Sequence, residues 1–105
     1  MAPQSKYRMK AVFVSYNQAY YREVIELLEA NECRGYTLWN EVAGRGGVDG
    51  EPHEGSHAWP TLNNAILAFV ADEKVEPILK GVRQMDEESP DLGMRAFVWT
   101  IDGRS

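Results

Sequence analysis

The period of apolar and polar positions switches repeatedly along the chain, and each switch predicts an element. Residues 9–16, MKAVFVSY, alternate: Val12, Val14 and Tyr16 fall on one face and Ala11 and Phe13 on the other, as in a strand apolar on both sides. Asn17 supplies a helix-start residue. Tyr21, Val24, Ile25 and Leu28 then recur at the i, i+3, i+4, i+7 spacing of one helical stripe, which Asn31 and Gly35 end. Residues 35–44, GYTLWNEVAG, alternate again, with Tyr36, Leu38, Asn40 and Val42 on one face and Thr37, Trp39 and Glu41 on the other.

A third strand is predicted over residues 61–71, TLNNAILAFVA, with Leu62, Ile66 and Phe69 among its apolar members. Asp72 opens a second helical stripe through Val75, Ile78, Leu79, Val82 and Met85. Pro77 fits that helix only in its first turn, so the helix is expected to start near Glu76 after a loose turn over 72–75. ESPDLG, residues 88–93, is a turn cluster, and MRAFVWTI, residues 94–101, reads as a fourth strand ahead of the polar tail DGRS.

The order β-α-β-β-α-β predicts an α+β, ferredoxin-like fold: an antiparallel sheet with two helices on one face. Trp39, Phe97 and Trp99 all lie in predicted strands, and three such aromatics crowd the helix side of so small a core. Placed on the uncovered face, they predict a homo-oligomer. The alternative is that all three are simply core.

Composition narrows the function classes. The 105 residues fit one domain, 44% apolar and 26% charged, with residues 1–8 read as a mobile lead and 9–105 as the folded unit. A net charge of −5 with no basic block lacks the electrostatic footprint of a nucleic-acid binder. The single Cys33 cannot form an internal disulfide, and no apolar run is long enough to enter a membrane, so a cytoplasmic protein is expected. Catalytic signatures are missing as well: there is no G-x-S-x-G elbow, no P-loop and no C-x-x-C, so the chain is read as a non-enzyme.

Across residues 9–101 the elements and several local signatures resemble the PII nitrogen-regulatory signal-transduction family. RGYTLWNEVAGRG resembles the family's second strand and the small-residue base of its long T-loop, here residues 44–60. The resemblance implies a homotrimer whose sheets pack inward, a small effector bound between subunits, and a loop that contacts a transporter or an enzyme. Thr37 resembles the strand threonine that approaches an adenine, and Gly44 and Gly46 the paired glycines of the loop base.

Departures from the pattern bear on the effector. Gly47 and Val48 replace a basic residue and a glutamine, and no tyrosine between 37 and 70 matches the one that some bacterial members modify. The phosphate-gripping turn becomes DEESPDLGMR, in which Asp86, Glu87, Glu88 and Asp91 oppose a triphosphate and only Gly93 and Arg95 favour one. This argues against ATP held in the family manner.

The loop carries its own chemistry. His53 and His57 stand four residues apart among Asp49, Glu51 and Glu54, a set of imidazoles and carboxylates suited to a divalent transition metal such as zinc, copper or nickel. Solvated loop histidines, or histidines that meet a partner, are the competing readings. Five glycines within residues 44–55 predict a loop that folds on binding. The leading expectation is a PII-like trimeric regulator that senses a metal or nucleotide and acts on its partner through 44–60. The alternative is a metal-binding ion-tolerance protein of the related trimeric fold.

Overall fold

The computed structural model describes residues 9–33, 35–42, 44–45, 52–53 and 63–105, so the expected N-terminal lead and most of the 44–60 loop lie outside the described residues. Strand β1 spans Met9–Asn17 and runs into a single 3-10 turn, Gln18–Tyr20, before helix α1, Tyr21–Ala30. Asn17 acts as a cap, as its side chain accepts the Ala19 N–H at 2.8 Å, but it caps that 3-10 turn and not the α-helix itself. Strand β2, Tyr36–Val42, leads to a short hairpin, β3 (Gly44–Arg45) and β4 (Pro52–His53), and then to β5, Asn63–Ala71.

A 3-10 turn at Asp72–Lys74 precedes helix α2, Val75–Glu88, one residue earlier than the proline rule suggests. Pro77 is the third residue of α2, where its missing N–H has no intrahelical acceptor to forgo. A further 3-10 turn, Pro90–Leu92, carries the chain into β6, Arg95–Thr100.

The four long strands form an antiparallel sheet in the order β2-β5-β1-β6. One face packs on both helices: Val12, Val14, Tyr16, Ile66, Ala68 and Val70 meet Val24 and Leu28 of α1 and Ile78 and Val82 of α2. These four belong to the 3.6-period stripes read from the sequence and are at 4% exposure or less, whereas Tyr21, the first residue of the α1 stripe, is 43% exposed.

Among the described residues, none forms a layer over the other face. Cross-strand register stacks Thr37, Leu67, Phe13 and Phe97 in one row and Phe69, Ala11 and Trp99 in the next, with Trp39 opposite Ala65. Exposure there is 45% for Trp39, 48% for Phe69, 59% for Phe97 and 50% for Trp99, so none of the three tryptophan and phenylalanine residues flagged in the sequence belongs to the core of the single chain.

The sheet departs from simple alternation once. Trp39 faces Ala65 and Val42 faces Asn63, so two residues of β2 lie against one of β5, a β-bulge, with Glu41 at φ 56°. The extra residue reverses the parity of the strand. Val42 therefore shares the face of Trp39, and the expectation that it points with Leu38 is corrected.

Candidate functional site

The residues singled out for small-molecule binding lie on opposite edges of the sheet. Thr37 is exposed in β2, on the uncovered face, and Gly44 follows in β3, where its backbone pairs with His53. Gly93 and Arg95 sit at the entry to β6, the other edge. Three inter-strand spacings of about 4.8 Å place the two groups roughly 14 Å apart or more. One chain alone does not bring them together.

Local chemistry shapes the β6 end. Gly93 takes φ 70° as it closes the 3-10 turn, its N–H donating to the Pro90 carbonyl at 3.2 Å, and a side chain there would be strained. Arg95 Nη1 donates to both carboxylate oxygens of Asp86 at 3.2 Å and to the Met94 carbonyl at 2.7 Å. Asp86 thus spends its charge on the very arginine that would meet an anion, which softens the acidic turn and at the same time ties up its cation. Beside this pair, α2 and β6 leave a groove of about 320 Å³ walled by Val82, Asp86, Met94 and Arg95.

At the loop base a polar cluster replaces the apolar core. Asn64, 3% exposed, accepts the Gln18 Nε2–H and the Glu41 backbone N–H through its Oδ1, both at 3.2 Å, and its Nδ2 donates to the Tyr16 hydroxyl at 3.4 Å. Burial pushes the Tyr16 phenol above its ordinary value. Sequence reading passed over Asn64. The signal available was a pair of asparagines, poor strand formers, opening an otherwise apolar strand at the exit of a loop.

Of the proposed metal ligands, His53 is placed only by its backbone, in the ladder with Gly44; Asp49, Glu51, Glu54 and His57, together with Gly46, lie outside the described residues. Among the described residues no group of three or more His, Cys, Asp or Glu side chains is arranged to hold an ion. Cys33 is buried, its Sγ–H aimed at the Gly35 carbonyl at 3.6 Å, and burial raises its pKa above the ordinary thiol value. No helix among the described residues is long and apolar enough to cross a membrane.

Comparison with known proteins bears on this arrangement. The family model described as nitrogen regulatory protein P-II matches residues 9–103. Among solved structures, CPII, a nitrogen regulatory PII-like protein from Thiomonas intermedia K12 bound to ADP, AMP and bicarbonate, is similar at 26% identity and a TM-score of 0.75, covering 90% of this chain and 87% of that one. GlnK of B. subtilis in complex with ATP shares the fold at 16% identity and a TM-score of 0.63, covering 90% and 84%. A DUF3240 family protein from Shewanella baltica OS155 shares it at 10% identity and a TM-score of 0.68, covering 92% and 93%. The comparison with curated proteins found no match.

Proposed function

Because the chain belongs to the nitrogen regulatory protein P-II family, we propose that it is a cytoplasmic trimeric regulator that binds a small anionic effector between subunits and signals through its 44–60 loop to a transporter or an enzyme. The observation that carries the reading is the uncovered sheet face, where Trp39, Phe69, Phe97 and Trp99 are each about half exposed. Half of an aromatic side chain is about 100 Å² of apolar surface, so covering each ring contributes roughly 2.5 kcal/mol. A second copy with the same face satisfies that surface.

Assembly also answers the separation of the two half-sites. A subunit presenting Thr37 and Gly44 on one sheet edge can meet the Gly93 and Arg95 edge of its neighbour, so the effector site is completed at the boundary. The effector class we favour is an adenine mono- or diphosphate, supported by the similarity to CPII, whose structure holds ADP, AMP and bicarbonate. The acidic residues Glu87, Glu88 and Asp91 favour fewer phosphates over more.

The test is calorimetric titration of the chelator-treated protein with AMP, ADP and ATP, each with and without bicarbonate, alongside light scattering. A mass three times the 11.9 kDa chain and saturable AMP or ADP binding are expected. A monomer that binds none of them overturns the reading. Zinc in the same series tests the second reading, in which His53 and His57 are the effector ligands; saturable zinc binding lost on alanine substitution of both would replace the nucleotide with a metal.

A further inference from the structure

We infer that Asn64 is the positioning residue of the 44–60 loop: its buried amide holds the bulged end of β2 and so sets the direction in which the loop leaves the sheet. The functional consequence rests on the reading of that loop as the contact arm; the brace itself does not.

The bulge creates a need that the ladder does not meet. Between Trp39 and Val42 the β2–β5 register skips, and Glu41 adopts φ 56°, a conformation that side-chain-bearing residues rarely take. The register gives Glu41 no opposite residue on β5, and a part-buried amide left unmet is costly. Asn64 Oδ1 meets it at 3.2 Å. The same oxygen takes the Gln18 side-chain amide from the turn ahead of α1, and the same side chain reaches Tyr16 at the end of β1.

One amide therefore joins three segments: the last turn of β1, the lead-in to α1, and the bulge from which the loop departs through Gly44 and Arg45. A leucine has the same branching and no polar atoms, and it would leave the Glu41 and Gln18 donors without this acceptor. The polar choice at 3% exposure makes sense as a device that fixes the bulge. A surface notch of about 310 Å³, lined by Gln18, Tyr21, Leu38, Asn40 and Asn64, adjoins the network.

Amide exchange followed by NMR reads the brace directly. In Asn64→Leu, the Glu41 amide is expected to exchange at least about five-fold faster and trypsin to cut sooner after Arg45, while Val12 and Ile66 keep their protection. Asn64→Asp, which keeps the acceptor, should restore slow exchange at Glu41. If the leucine variant does not fold, Gln18→Ala reads the same network from the surface and should also speed Glu41 exchange. Unchanged exchange at Glu41, loosening spread evenly through the core, or an aspartate variant as loose as the leucine one overturns the inference. A loosened Glu41 with nucleotide and partner responses intact supports the brace and instead refutes the loop as the contact arm.

Discussion

At the scale of single residues, Cys33 and Tyr16 link burial to pH. Both groups are neutral when protonated, and burial raises both pKa values, from ordinary values of 9.0 and 10.0. Below about pH 8 the folded and unfolded chains carry the same protons on these groups, so the stability they contribute is fully present. As pH rises further, the unfolded chain releases protons that the native chain retains, and stability falls until the native groups ionise too. The urea midpoint is therefore expected to drop between about pH 8 and pH 10.5, less steeply in Cys33→Ala; a midpoint flat across that range would contradict the burial of both groups. The native thiol should also resist a thiol reagent until denaturant is added. Cys33 was legible in the sequence as a cysteine with no internal disulfide partner, but Asn64 was not legible as a brace, because alternation counts polarity and says nothing of who receives a buried amide.

Among the elements, the two helices meet at Gly81. A Cβ on Gly81 of α2 would lie 2.5 Å from Leu27 Cδ1 of α1, so a side chain there requires Leu27 to move. Gly81→Val is expected to destabilise by about 1–3 kcal/mol despite replacing a poor helix former, because the branched side chain must displace Leu27. Leu27→Ala combined with it should cost less than the two single changes added, a coupling readable in a double-mutant cycle of urea midpoints. Strands and helices were predictable here because each has a buried face with a fixed period, and the stripes Val24–Leu28 and Ile78–Val82 became core as expected. The β2 bulge was not predictable. It lies where β2 nears its end before the hairpin, and it shows only in the register between β2 and β5, which no local pattern carries.

For the whole molecule, the proposed assembly rests on the open aromatic face. Trp99→Glu places a charge where the neighbouring sheet should pack, and desolvating that charge opposes assembly. Light scattering is expected to show a shift from three chains toward one, with the circular dichroism of the fold retained, since Trp99 contributes nothing to the helix-side core. An unchanged mass would mean that this face is not the interface. Loss of nucleotide binding should accompany the shift, because Thr37 and Arg95 stand on opposite edges of one sheet.

The sequence by itself determined the order of elements, the helix-side core and the class of fold, since those follow from periodicities of 2 and 3.6 and from turn residues acting over short range. It also pointed to aromatics in excess of one small core. Only the tertiary structure decided which face each aromatic takes, that Val42 changes sides, that Arg95 is held by Asp86, and that Asn64 bridges three segments. Each of those depends on register between strands distant in the chain, and register is set by the packing of the whole sheet, not by any stretch of residues read alone.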